Sequence, residues 1–325
     1  MAEVDTLQGC NVLITGATGL IGSALTEWLL QHADCHVYAT CRHAGQARRR
    51  FGRQAGHPRL HLLEHDVTQP LPGDTPFHYI IHAASPASPN SFAQRPVEVM
   101  MANIMGVNHL LDYGMAHHMR RLLFVSSGEV YGEGDGTPFR ESDSGYIDSM
   151  SPRACYPSSK RAAETLCAAY AAEHQADVVV ARLCHTYGPH FTVTDNRVYA
   201  QFLRNVLNGE DIVLKSEGLQ LRSWIYVADA VSAILHILLK GTGGEAYNVA
   251  DPQSCITIRQ LAELCARLAG RQVRLDIPAD ARHGNTTPIS CATFSIEKLQ
   301  ALGWQPRYSM ESGLRETLSI LKSAE

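Results

Sequence analysis

The chain has 325 residues, an apolar content of 45% and a formal net charge of −4. That length exceeds the usual single domain and allows one large α/β unit with a smaller lobe, while the charge gives no reason to expect nucleic acid or an anionic membrane as partner. No apolar run is long enough to span a bilayer, and the start Met1-Ala2-Glu3-Val4-Asp5 lacks the basic and apolar regions of a signal peptide.

Asn11-Val12-Leu13-Ile14-Thr15 reads as a short strand, and Gly16-Ala17-Thr18-Gly19-Leu20-Ile21-Gly22 follows it at once. From Ser23 to Gln31 the apolar residues Leu25, Trp28 and Leu29 recur with helical period. Strand, glycine turn and helix in that order predict a dinucleotide site, with phosphates at the helix N-terminus. The first glycine permits the turn, the middle one admits the pyrophosphate, and the last lets helix lie on strand. A second strand, His36 to Thr40, ends at Cys41-Arg42, where a carboxylate would grip the ribose 2′-hydroxyl of NAD. A guanidinium there suits a 2′-phosphate, so NADP is favoured over NAD; the alternative is an Arg42 stacked on adenine without preference.

Leu60 to Val67 reads as a third strand that brings Asp66 and Val67 near the adenine. Tyr79 to Ser85 reads as a fourth, with His82, Ala83 and Ala84 letting backbone pass close to the cofactor. Helices are expected over Val97–Met115, with Asn103 facing the sheet, and over Tyr156–Glu173; strands are expected at Leu122–Ser127 and Val178–Leu183. Alternation of this kind implies a parallel sheet wound on both faces, a Rossmann-type α/β architecture.

Beyond Leu183 the alternation breaks. Cys184 to Pro189 reads as a turn-rich exit, Arg197–Asn208, Ala228–Leu239, Thr257–Ala269, Ser295–Leu302 and Met310–Leu321 as helices, and Tyr247-Asn248-Val249 as a strand returning to the main sheet. The expected division is 1–184 with 224–250 for the dinucleotide, and 185–223 with 251–325 as a lobe over the carboxyl ends of the strands. Nine scattered cysteines without a Cys-x-x-Cys pair read as reduced thiols of a cytoplasmic protein. Of 16 histidines only His117-His118 are adjacent; they read as a helix surface, and no metal is expected.

One stretch carries candidate chemistry. Ser127 ends a strand, Glu129 follows, and Tyr156 and Lys160 stand one helical step apart on a shared face. An ammonium beside a phenol favours its ionised form, so Tyr156 is a candidate base, with Ser127 on the same substrate oxygen. Alone, Tyr-x-x-x-Lys is weak, since a half-buried aromatic and a solvated lysine are common on helices.

With these residues placed, the chain resembles the extended short-chain dehydrogenase/reductase superfamily, in particular its nucleotide-sugar epimerases, dehydratases and decarboxylases. The markers are Gly16-x-x-Gly19-x-x-Gly22, Asp66-Val67, His82-Ala83-Ala84, Asn103, Ser127, Tyr156-x-x-x-Lys160, Tyr187-Gly188-Pro189 and Arg222 to Val227. His82 to Pro89, Ser127 to Gly132, Arg153-Ala154-Cys155-Tyr156 with Lys160-Arg161, and Asp195 to Val198 look closest to UDP-glucuronate decarboxylases. The resemblance implies Ser127, Tyr156 and Lys160 as catalytic, with Glu129 acting near C5 of the sugar. It also implies a homodimer joined through a four-helix bundle of Val97–Met115 and Tyr156–Glu173.

Ser85, His185, Tyr187, Arg197 and Arg222 then fall to the substrate, a nucleotide-diphosphate sugar; Arg222 would bind its diphosphate or a sugar carboxylate, or form a structural salt bridge. Three positions depart from the pattern. Gly128 stands where 4,6-dehydratases carry a proton-donating aspartate, His185 replaces an asparagine, and Cys41-Arg42 replaces the acid of NAD-using members. The expected reaction passes through a 4-keto sugar, with Lys160 holding the nicotinamide ribose and lowering the tyrosine pKa. UDP-glucuronate decarboxylation leads, a 4-epimerase or NADPH-dependent 4-keto-sugar reductase is the alternative, and a non-catalytic dinucleotide sensor is a third reading.

Overall fold

A computed structural model describes residues 4–192, 195–277 and 291–323. Six strands, β1 (Asn11–Thr15), β2 (His36–Cys41), β3 (Leu60–Glu64), β4 (Tyr79–His82), β5 (Arg121–Ser127) and β6 (Val178–Leu183), join Ala246–Val249 in one seven-stranded sheet. Across it the order is Ala246–Val249, β6, β5, β4, β1, β2, β3, and every pairing is parallel. The order reverses between β1 and β4, which opens a crevice at the carboxyl ends of those strands.

Parallel strands covered on both faces read as nearly continuous apolar runs, and β4 and most of β5 are buried throughout. Side chains still alternate. Val12, Ile14, Leu123 and Val125 point into one core, and Leu13, Leu122 and Phe124 into the other. The first core is closed by α1 (Leu20–His32) and the helix Val227–Lys240. After α2 (Ala44–Phe51) and α3 (Pro89–Gln94), α4 (Pro96–Ala116) and α5 (Cys155–His174) lie side by side over the second.

The remaining chain builds the lobe. Leu221–Tyr226 pairs with His185–Tyr187, Cys255–Thr257 and Cys291–Ala292, and Ile212–Leu214 pairs with Val273–Leu275. The helix Ile258–Leu268 starts in a capping box, Thr257 and Gln260 exchanging side-chain-to-backbone bonds. The returning strand is tied to both parts. Asn248 accepts from the Tyr131 hydroxyl at 2.6 Å and donates to the carbonyls of Phe139 and Ser295, each at 3.0 Å.

Several local expectations change. The exit after Leu183 holds a strand, because Thr186 and Tyr187 are buried against Ile225 and Tyr226. The third strand stops at Glu64, so Asp66 and Val67 stand on the turn beyond it. His117 caps α4 and His118 takes the left-handed conformation, so the pair ends that helix and is not a helix face. One helix went unread, α3, announced by the Ser88 cap with Pro89 in its first turn. Of the N-terminal segment, residues 1–3 lie outside the described residues.

Candidate active site

A cleft of about 1150 Å³ opens at the carboxyl ends of the strands, floored by the sheet and roofed by the lobe. One end is made of backbone. Gly16 has φ +67°, and a Cβ there would stand 2.7 Å from the Ala84 Cα; a Cβ on Gly22 would stand 2.3 Å from the Gly16 carbonyl oxygen. Only glycine fits either position. Gly19 heads α1, and no side chain caps that helix, so its first N–H groups face the cleft beside Thr18, Leu20 and Ile21. An uncapped helix start over a glycine turn is an anion site, and the donor set suits a dinucleotide pyrophosphate.

Behind this turn the Thr15 hydroxyl and His82 Nδ1 are 2.7 Å apart, and Ala84 N–H donates to Thr15 Oγ1 at 3.2 Å. His82 is fully buried, and burial, with Lys160 nearby, holds its pKa down to about 3. Asn103 is also fully buried and donates to Ser159 Oγ at 2.9 Å. Both residues stand behind the wall of the cleft and do not line it; Ala83, Ala84 and Ser85 do.

The reactive side chains gather where β5 and α5 meet. Ser127 is extended at the end of β5, and its Oγ accepts from the Glu129 N–H at 3.2 Å. Tyr156 opens α5 with its ring stacked on Phe92 of α3 at 4.7 Å, a contact worth about 0.5–1.5 kcal/mol beyond burial. Lys160 Nζ donates to the Val125 carbonyl at 2.9 Å, lies 4.5 Å from the Phe124 ring centroid and 5.8 Å from that of Tyr156. Burial holds its pKa down to about 7. The phenol is pushed up to about 12 by burial and by Glu129, against the hydrogen bond from Ser127 and the charges of Arg197 and Arg153.

The other end is made of charged side chains in pairs. Arg153 Nη2 donates to both Glu129 oxygens, at 3.0 and 2.9 Å, and its guanidinium lies 4.6 Å from the Phe92 ring centroid. Burial raises the Glu129 pKa, with Arg153 and Arg222 opposing. Arg197 forks onto Asp195 through Nε and Nη2 and reaches the Tyr199 hydroxyl at 3.0 Å. Arg222 is buried and donates to the Leu221 carbonyl at 2.8 Å. His185 lines the cleft with its surface exposed to it, and the enclosing walls with the charges of Arg222 and Arg197 depress its pKa below the usual imidazole value.

At the adenosine end Asp66 and Val67 line the cleft, and Arg42 Nη1 donates to Glu98 Oε1 at 3.1 Å, a carboxylate that Arg95 also holds. Tyr187 lies elsewhere, buried in the lobe with its hydroxyl on the Met310 carbonyl at 3.2 Å. Sequence reading missed Phe92, Glu98, Arg153 and Asp195 as site residues. Arg153 and Asp195 stood in stretches already singled out, and the Ser88-Pro89 helix start could have led to Phe92. Glu98 gave no signal, because its partner is 56 residues away. Among the described residues no cluster of three or more metal-ligating side chains occurs, and no helix is long and apolar enough to cross a membrane.

Residues 12–250 match the model of the NAD dependent epimerase/dehydratase family. UDP-glucuronic acid decarboxylase 6 of Arabidopsis thaliana is 33% identical over 309 residues, covering 94% of this chain and 86% of its own. UDP-glucuronic acid decarboxylase 1 of Xenopus tropicalis is 33% identical over 315 residues, 96% of this chain and 72% of its own. The fold is shared with a UDP-N-acetylglucosamine 4-epimerase from Methanobrevibacter ruminantium M1 (TM-score 0.84, 24% identity, 98% and 100% of the two chains). It is shared as well with a dTDP-glucose 4,6-dehydratase from Bacillus anthracis in complex with NAD (TM-score 0.81, 24% identity, 98% of each chain).

Proposed function

The chain belongs to the NAD-dependent epimerase/dehydratase family, and from that premise we propose that it decarboxylates UDP-glucuronate through a 4-keto intermediate. The observation that carries this reading is the convergence of Ser127, Glu129, Tyr156 and Lys160 in the cleft whose far end is the glycine turn. A bound NAD(P) supplies the acceptor and later donor of the C4 hydride, together with a positive charge near Tyr156.

Gly16, Gly19, Gly22 and the start of α1 hold its pyrophosphate, and Lys160 its nicotinamide ribose. Tyr156 takes the proton of the C4 hydroxyl, and Ser127 donates to the C4 oxygen as charge develops on it. The charge of Lys160, with that of a bound oxidised cofactor, would favour the ionised phenol and so the base. The C4 ketone makes the sugar carboxylate a β-keto acid. Its bond to C5 breaks, CO₂ leaves, and the electron pair moves into an enolate at C4. C5 is then protonated, and Glu129, whose pKa is raised by burial against the opposing charges of Arg153 and Arg222, is the donor in this reading. Were a bound cofactor to give the hydride back to C4, Tyr156 would return its proton to the C4 oxygen, and no net oxidation would occur.

Arg222 and Arg197 bind the anionic part of the nucleotide sugar, with His185 and Ser85 beside them. Arg42 favours NADP over NAD in this reading, and the same residue supports a second one, an NADPH-dependent 4-keto-sugar reductase; a 4-epimerase shares every step up to the ketone. The exposed apolar residues Val97 and Met100 on α4 support a homodimer formed through α4 and α5, and nine cysteines outside any disulfide support a cytoplasmic setting. The test is incubation with UDP-glucuronate and cofactor, followed by mass spectrometry. Decarboxylation predicts a nucleotide sugar lighter by the mass of CO₂. Unchanged mass with altered retention would replace it by epimerisation, and consumption of NADPH on a 4-keto sugar would replace it by reduction.

A further inference from the structure

Arg153 joins Glu129 to Phe92 at the sugar end of the cleft. It sits in the short turn Pro152–Ala154, three residues before Tyr156. A single nitrogen, Nη2, serves both oxygens of Glu129. Its plane is braced on Phe92, which is itself stacked on Tyr156. A guanidinium has five N–H donors in a rigid fork. Among the described residues Nε and Nη1 have no protein acceptor, and the side chain, 36% exposed, lines the cleft. The neighbouring cations differ. Arg197 has its fork filled by Asp195 and Tyr199, and Arg222 is buried against the Leu221 carbonyl.

We propose that Arg153 is a specificity-determining residue that receives the carboxylate of a nucleotide-linked uronic acid on its unused Nη1 while Nη2 keeps hold of Glu129. The proposal rests on the decarboxylase reading and names how that substrate is chosen. A uronate brings a second carboxylate up to Glu129, and two carboxylates sharing an enclosed site repel until one of them takes a proton. The groups that face Glu129 are Arg153, Arg222, Tyr156 and Cys155, so the first two must offset both anions. A planar fork between two carboxylates does this with direct bonds, and the Phe92 brace fixes its orientation before substrate arrives. A sugar with a neutral hydroxymethyl group at C5 has no charge to place there.

The test is a titration of NAD-loaded protein carrying Tyr156→Phe, which removes turnover, with UDP-glucuronate and with UDP-glucose, in the presence and absence of Arg153→Gln. Arg153→Gln is expected to weaken UDP-glucuronate on the order of 10- to 100-fold and UDP-glucose by less than about 3-fold. Arg153→Lys, which keeps charge and loses the fork, is expected to fall between. Equal weakening of both ligands, or none, overturns the proposal and leaves the decarboxylase reading standing. If the Tyr156→Phe parent itself binds UDP-glucuronate no tighter than UDP-glucose, the decarboxylase reading fails and the proposal with it. Thermal unfolding checks each variant; should Arg153→Gln not fold, an unchanged preference in Arg153→Lys overturns the proposal.

Discussion

The two ends of the cleft are built from different materials. At the glycine-turn end the lining comes from backbone, with Gly16 and Gly22 forced by space and α1 starting without a side-chain cap. At the Glu129 end it comes from side chains held in pairs, Glu129 on Arg153, Arg197 on Asp195 and Tyr156 on Phe92. A backbone site has one shape and tolerates no added atom. A paired site is polarised in advance, and exchanging one charge retunes it without disturbing the sheet below.

The sharpest separation of the two ends is Tyr156→Phe. Turnover should fall by on the order of 10²- to 10⁴-fold, while a fluorescence titration finds dinucleotide affinity unchanged. A loss of both would mean that the ends are not independent. Gly16→Ala is the converse. Its Cβ meets the backbone of Ala84 at φ +67°, so it should abolish dinucleotide binding and lower stability by about 1–3 kcal/mol in chemical denaturation.

Lys160 sits where the ends meet and titrates about 7 when folded, below its usual value near 10.5. Between these values the unfolded chain binds the extra proton, so this group makes stability rise with pH. Relative to Lys160→Met, the wild-type unfolding free energy should therefore gain up to about 1.4 kcal/mol per pH unit above pH 7. A flat difference would mean that the amine is not desolvated. The smallest effect belongs to the exposed Arg42–Glu98 pair. Arg42→Ala should weaken NADPH about 10-fold and leave NADH nearly unchanged, whereas Glu98→Gln should tighten NADPH by about 3-fold.

The same contrast explains what could be read from the residues alone. The glycine turn, the strand ends at Thr15 and Ser127 and the Tyr156/Lys160 step were legible because backbone constraints repeat locally in sequence. So was the return of Ala246–Val249, whose Tyr247-Asn248-Val249 reads as a strand in a helical neighbourhood. Pairings were not legible. Glu98 with Arg42, and Arg153 with Glu129, join positions that only the tertiary fold brings together. Nor could Tyr187 be told from a cleft residue, since a hydroxyl on a core carbonyl looks in sequence like one aimed at a ligand.

That returning strand also governs the order in which the molecule can be made. The edge of β6 stays open until Ala246–Val249 has left the ribosome, when only the 185–223 part of the lobe has emerged ahead of it. Asn248 then fastens the turn that carries Glu129 through the Tyr131 hydroxyl. A nascent chain halted before residue 246 should thus offer an unsealed strand to aggregation or proteolysis, and Glu129 should lack a fixed seat.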